Sequence, residues 1–259
     1  MILRLVAVTL LSAVLSVLAM LTVRLTGIDL KNIKKRTHPL VLTIALLFNL
    51  LFILSVALVL KFWDHQSLAV LGFSFSIRSL LFVVFGLLFS VSFALLYVYI
   101  LHRRKIVDLH FVRNGPSDGG TWYGMAFGLL VLFVAALQEE ILFRGYFSYI
   151  LLPGGFWTAL VISAVVFTLW HFLTNHAGIF QTIDWLTGGI MLFFIYWISG
   201  SIWVAAFIHF SRNLTNVLVF DISGKNALVH FSQPVQPSYK SLYTILLSLL
   251  LMISSAIVF

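Results

Sequence analysis

Long apolar segments separated by short polar loops dominate the chain. Windows of about 20 apolar residues recur along almost its whole length, and each is long enough to cross a hydrocarbon core of about 30 Å. We place eight spans, at approximately 2–23, 40–62, 79–101, 121–152, 156–174, 183–199, 201–220 and 241–259. The breaks between them fall at charged, proline or glycine positions. The pattern predicts an all-α fold, a polytopic transmembrane helix bundle of about eight spans.

The composition agrees with a membrane location. The 259 residues are 61% hydrophobic and 9% charged, with a mean hydropathy of +1.09. Soluble domains are roughly half apolar and about one quarter charged, so water is an unsuitable solvent for this chain. We expect residues 1–259 to form a single integral, multi-pass membrane domain, with the cell membrane of a bacterium as the expected location. Cysteine is absent, which excludes disulfides, a thiolate nucleophile and Cys-ligated zinc.

The positive charge of the chain is concentrated in loops. The formal net charge is +8, with five Lys and Arg residues in 24–38, two in 61–78 and four in 102–120. Alternating charge of this kind is a topology signal, so the bilayer is the expected partner and nucleic acid is not. The rule places the first and third loops in the cytoplasm and the N-terminus outside. The first span could instead be a cleaved signal peptide, but the Lys-rich loop after it argues against translocation.

The two glutamates of the chain lie side by side within an apolar segment, FVAALQEEILFRGYF. A carboxylate at membrane depth costs about 2.5–3.5 kcal/mol on insertion scales, so such a residue is a functional hypothesis in need of a partner. Arg144 lies four residues after Glu140 and on the same helix face. Glu139 lies about 100° around the helix, which leaves it comparatively free to act as a base. The alternative is a buried ion pair that only sets helix packing.

Two further apolar segments carry polar side chains of a catalytic type. His171 lies late in VISAVVFTLWHFL, and Phe167 precedes it by one turn. His209 and Asn213 are four residues apart in VAAFIHFSRNLTNVLVF, so they share one helix face. A His and an Asn aimed at one point can hold an oxyanion, while a Glu with a His can activate water. These residue types suffice for amide hydrolysis, although polar residues also act as interhelical glue.

Three segments together resemble a known family. EEILFR from residue 139, FTLWH from residue 167 and HFSRN from residue 209 resemble the EExxxR, FxxxH and HxxxN motifs of the CPBP family. That family groups CAAX prenyl endopeptidases with bacterial bacteriocin-processing or immunity proteins of the Abi type. The resemblance covers a core of roughly residues 120–220. It implies an intramembrane protease that acts on a peptide or a membrane-tethered protein.

The resemblance also implies a site. Its catalytic residues would be Glu139, His171, His209 and Asn213, supported by Glu140, Arg144 and Phe167. Glu139 would activate the water that His171 orients, while His209 and Asn213 would stabilise the oxyanion. A divalent metal such as zinc, held by Glu139, His171 and His209, stays open. We favour a metal-free mechanism, because His209 and Asn213 make sense as neutral donors, Asn is a poor zinc ligand and no HExxH is present.

The leading interpretation is an endopeptidase with a cavity between spans four, five and seven. A non-catalytic scaffold or immunity protein that binds a partner is one alternative, and a proton-coupled transporter is another, although no inverted repeat is visible. Straight helices would place Glu139 and His171 at different depths. Among the remaining polar residues, His176 and Asp184 flank a loop from which they could touch substrate. Arg212 is interpreted as a helix-end charge that snorkels to the interface.

Overall fold

The computed structural model describes residues 2–28, 38–111, 119–173, 177–218, 229–231 and 235–258. Most of them are helical. The α-helices are α1 (Ile2–Leu25), α2 (Pro39–Phe62), α3 (Ile77–Arg103), α4 (Gly119–Glu140), α5 (Phe147–Leu151), α6 (Phe156–His171), α7 (Ile179–Ser199), α8 (Ile202–Leu218) and α9 (Pro237–Val258). A π-helical segment, Ile141–Tyr146, joins α4 to α5, and 3₁₀ turns cover Leu68–Leu71 and Leu152–Gly154.

The helical bundle that the apolar pattern predicts is confirmed. Within the described ranges, six helical segments are long and apolar enough to cross a membrane by length and composition. The other two predicted spans correspond to α6 and α8, with 16 and 17 residues. At 1.5 Å per residue these two reach only about 25 Å, slightly less than the hydrocarbon core. The sixth predicted span begins too late, because α7 starts at Ile179 rather than at residue 183.

Two short strands add an element that the sequence did not predict. β1 (Leu109–Phe111) pairs with β2 (Val229–Phe231) in an antiparallel ribbon, with Leu109 opposite Phe231. Three-residue strands are too short to show a period of two against an apolar background. The ribbon joins the connection after α3 to the connection after α8, so both connections lie at the same end of the bundle. We name this the ribbon end, and we name the opposite end, where α6 begins after Gly155, the Gly155 end.

The π-helical segment lies inside the main hydrophobic cluster. All six of its residues are buried, together with core residues from α1, α2 and α6. A second cluster joins α3, α7, α8 and α9. Large exposed apolar side chains cover the outside of the bundle, as expected of helices whose solvent is lipid. The elements around the π-helical segment are therefore fixed by packing from several helices at once.

The loop between α2 and α3 closes the Gly155 end. Leu71 is fully buried, and a Cβ on Gly145 in the π-helical segment would lie 3.1 Å from Leu71 Cβ. The amide of Ile202 donates to the carbonyl of Gly72 at 2.9 Å, and the indole of Trp203 donates to Phe73 O at 3.2 Å. The loop is thus bonded to the first turn of α8 and seals the bundle above the π-helical segment.

A substitution at Gly72 tests whether the loop between α2 and α3 closes this end of the bundle. The φ of Gly72 is +81°, and a Cβ at this position would lie 2.6 Å from the carbonyl oxygen of Gly200. We expect Gly72→Ala to lower the free energy of unfolding by about 2–3 kcal/mol, because backbone strain and a close approach act together. Gly27→Ala is the matched control, since Gly27 has φ +70° and open space around it. Unfolding in mixed micelles should show the smaller loss for Gly27→Ala, and equal losses would contradict the closure.

Candidate active site

The two adjacent glutamates lie where the helix geometry changes. Glu139 and Glu140 are the last residues of α4, and the π-helical segment begins at Ile141. The sequence predicted one uninterrupted span over residues 121–152, so this segment was missed. Single π turns inside α-helices are frequently found at functional sites, because the widened turn changes the direction of side chains. The position of the segment next to both carboxylates makes it the structural centre of the site.

Glu140 and Arg144 form the ion pair that their spacing predicts. Arg144 Nη1 donates to Glu140 Oε1 at 3.0 Å, and both side chains are fully buried. The second nitrogen, Nη2, donates to the carbonyl of Gly189 in α7 at 3.2 Å. The guanidinium also lies over the ring of Phe167, 4.2 Å from its centroid. Arg144 therefore joins the π-helical segment to α6 and α7 while it balances the charge of Glu140.

His209 lies between the two glutamates. Its Nδ1 is 2.7 Å from Glu140 Oε1, and its Nε2 is 3.8 Å from Glu139 Oε2. Packing of α4 on α8 creates this arrangement, with the ring of Phe133 4.7 Å from that of Phe207. Because Glu140 also accepts from Arg144, it acts as a hydrogen-bond acceptor and assigns the proton on Nδ1 to His209. The ring is thereby oriented with Nε2 toward Glu139.

Glu139 differs from its neighbour in environment. Its side chain is 22% exposed, whereas that of Glu140 is fully buried. Its Oε2 is a buried atom with no hydrogen-bond partner within the part of the chain that the structure describes. Oε2 of Glu140 also has no described hydrogen-bond partner, so the two residues differ in exposure and in the guanidinium and imidazole that Glu140 binds through Oε1. The two carboxylates therefore have separate capabilities, one as an anchor and the other as an acceptor for a proton.

His171 reaches the same region from α6. It is the last residue of this helix, and Glu139 lies a similar number of residues before the turn at Gly155. Equal numbers of residues on the two sides of this turn favour similar depths for Glu139 and His171. His171 Nδ1 donates to the carbonyl of Phe167 at 2.9 Å, and its ring lies 4.8 Å from that of Trp185. Nε2 is then the nitrogen with a lone pair.

A cavity of about 90 Å³ connects His171 to α8. The residues that line it are Phe167, His171, Gln181, Asp184, Trp185, His209, Arg212, Asn213, Asn216, Lys240, Tyr243 and Thr244. It lies between α6, α7, α8 and α9, so spans five and seven line it as expected, whereas span four contributes none of the described lining residues and α7 and α9 take part instead. Glu139 is not among the described lining residues, and it meets the cavity at His209.

Asp184 and Arg212 are buried, contrary to the expectation from the sequence. Asp184 is 7% and Arg212 8% exposed, and Arg212 Nη2 donates to the Asp184 carbonyl at 2.8 Å. The interpretation of Arg212 as a snorkelling charge is therefore wrong. Asp184 lies within α7 because that helix begins at Ile179, not at residue 183. An ionisable residue inside a span was the available signal for it. His176, the other loop candidate, lies outside the described residues.

The donor set does not fit a metal ion held by three protein ligands. Among the residues that the structure describes, no three His, Asp or Glu side chains are grouped closely enough to hold one. The hydrogen bonds from His209 Nδ1 to Glu140 and from His171 Nδ1 to a carbonyl oxygen do not count against a metal, because metal-ligating histidines usually make such a bond with their other nitrogen. Only the spacing of the side chains in the described residues speaks against a metal held in this way, and the metal-free mechanism stays a prediction.

Comparison with known proteins gives one match. Residues 121–215 match the family model described as type II CAAX prenyl endopeptidase Rce1-like, which is well under half of the 259-residue chain. Neither curated proteins nor solved structures provide a match to the chain. The matched family is one of proteases, and the matched range contains all three motifs. The match over residues 121–215 is therefore consistent with the CPBP family that the three motifs resemble.

Proposed function

We propose that the chain is an intramembrane endopeptidase that hydrolyses a peptide bond of a membrane-associated protein or peptide, with Glu139 as the base. The observation that carries this proposal is the placement of His209 between Glu140, at 2.7 Å, and Glu139, at 3.8 Å. One carboxylate orients the imidazole and the other is free to take a proton. A base beside an oriented histidine is the arrangement that water-activating hydrolysis requires.

The proposed reaction begins with a water molecule next to Glu139. Glu139 removes one proton from the water, and the resulting hydroxide attacks the carbonyl carbon of the scissile bond. A tetrahedral intermediate with a negatively charged oxygen forms. The bond between carbon and nitrogen then breaks, and the proton held by Glu139 passes to the leaving amine. Glu139 thus returns to its carboxylate form, and the products are a carboxylic acid, which keeps the second proton of the water, and an amine.

The expected role of His209 as a donor to the oxyanion depends on which of its ring nitrogens carry protons. With Nδ1–H donated to Glu140, a neutral ring would present only a lone pair at Nε2. A protonated ring presents an N–H to the oxyanion instead.

His171 and Asn213 complete the proposed site from the cavity. His171 Nδ1 donates to Phe167 O, so Nε2 offers a lone pair that can accept a hydrogen from the attacking water. Asn213 lines the same cavity as His209 and offers an amide N–H to the oxyanion. A water oriented on one side and an oxyanion bound on the other give the carbonyl a defined direction of attack.

The proposal is tested with purified protein and a panel of fluorogenic membrane peptides. We expect Asn213→Ala to lower kcat by about 10²–10³-fold with little change in KM, because an oxyanion donor acts mainly in the transition state. Asn216→Ala, one turn along α8 in the same cavity wall, is the comparison and should retain most of kcat. A chelator should leave the wild-type rate unchanged. Equal kcat for wild type and Asn213→Ala would contradict the oxyanion assignment.

A further inference from the structure

Arg212 is a buried cation next to Asn213 that the proposed reaction does not use. Its side chain crosses from α8 to α7, where Nη2 donates to the carbonyl of Asp184 at 2.8 Å. Carbonyl groups in the first turns of a helix normally accept a hydrogen bond from an amide of the same helix. A side chain that also bonds to one must lie close to the helix backbone, so Arg212 approaches α7 closely.

Gly188 makes room for the guanidinium. A Cβ built on Gly188 would lie 1.7 Å from Arg212 Nη1 and 2.7 Å from Cζ. No other glycine described in the structure has a contact this short. The guanidinium therefore occupies the volume that any other side chain at position 188 would fill. The absence of a side chain is what allows Arg212 to lie against the backbone of α7.

These contacts fix α8 at two points. His209 is held by Glu140 at 2.7 Å. Arg212 is held by the backbone carbonyl of Asp184 and by the space beside Gly188, which has no side chain and which we name the notch. Asn213 follows Arg212 directly, and neighbouring side chains on a helix are about 100° apart. A rotation of α8 that released Arg212 would turn Asn213 away from the cavity, so the contact of Arg212 with α7 adds to the resistance that His209 offers through its bond to Glu140.

We infer that Arg212 is a positioning residue that sets Asn213 for the reaction by anchoring α8 in the notch of α7 at Gly188. The inference rests on the proposed function, because it assumes the oxyanion role of Asn213. Arg212 acts through α8 and does not need to touch the substrate. Its removal should therefore change the rate of the chemical step more than the binding of the peptide.

The sharpest test is Gly188→Ala, which leaves Arg212 in place and fills the notch. We expect kcat to fall about tenfold or more, while KM changes less than about threefold. Gly178→Ala is the control, since a Cβ at Gly178 meets no atom within 4 Å, and kcat should stay unchanged. Arg212→Lys is a second variant that keeps the charge without the planar guanidinium, and the same drop in kcat is expected.

A label on α8 reports the anchoring without any substrate. The chain has no cysteine, so Asn216→Cys provides a single site for a trifluoromethyl probe. We expect Gly188→Ala to shift its fluorine resonance and Gly178→Ala to leave it in place. If Gly188→Ala and Arg212→Lys cleave peptides as fast as the wild-type chain, the inference is overturned. A wild-type chain that cleaves no peptide would instead overturn the proposed function, so the two failures differ.

Discussion

Replacing Glu139 with glutamine will remove peptide cleavage while the protein stays folded. Glutamine keeps the size of the side chain but cannot take a proton from water, so kcat should fall by about 10³-fold or more. Oε2 of Glu139 has no described hydrogen-bond partner, and the side chain is partly exposed, at 22%. The free energy of unfolding should therefore change by less than about 1 kcal/mol. Cleavage rates and unfolding curves of the two purified proteins measure both effects.

Glu140→Gln provides the contrast for this prediction. The change is chemically identical and lies one residue away, but Glu140 is fully buried and bonded to both Arg144 and His209. It should reduce both activity and stability, because it leaves the buried guanidinium without its counter-charge. If Glu139→Gln retained wild-type cleavage while Glu140→Gln alone was inactive, the base would have been assigned to the wrong glutamate.

Replacing Arg144 with methionine will cause the largest loss of stability. The side chain is fully buried, donates to Glu140 Oε1 and Gly189 O, and lies over the ring of Phe167. Methionine fills part of the volume but leaves the Glu140 carboxylate without its cation. Removal of one partner of a buried ion pair costs about 3–5 kcal/mol, and a loss of this size is expected in mixed-micelle unfolding.

Two comparisons separate the charge effect from the loss of packing. Arg103→Met, at an exposed position at the end of α3, should change stability by no more than about 0.5 kcal/mol. The double variant Glu140→Gln with Arg144→Met should lose less than the sum of the single variants, because no unpaired charge remains. Additive losses would show that Arg144 and Glu140 stabilise the fold independently of one another.

The sequence predicts the helices and the ion pair because both depend on local spacing. Apolar runs of membrane-spanning length locate the helices to within a few residues. The contact between Glu140 and Arg144 follows from their separation by four, and the structure contains it at 3.0 Å. The shared face of His209 and Asn213 has the same origin, and both line one cavity.

The features that the sequence does not predict depend on contacts between distant segments. The π-helical segment at Ile141–Tyr146 is fully buried among several helices, and nothing in its residue pattern separates it from an α-helix. Burial of Arg212 requires Gly188 on another helix, which spacing along α8 cannot reveal. The adjacent glycines in the apolar run LTGGIM were the signal, since glycine inside a helix usually marks a close approach.

A single-turnover reaction in water enriched in oxygen-18 tests the central claim most directly. Excess protein is mixed with a membrane peptide that it cleaves, and the masses of the products and of the protein are measured by mass spectrometry. If Glu139 activates water, the new carboxyl group of the product gains one labelled oxygen and the protein gains none. Label on the peptide that contains Glu139 would identify a covalent nucleophile and contradict the account, as would wild-type protein that cleaves none of the membrane peptides tested.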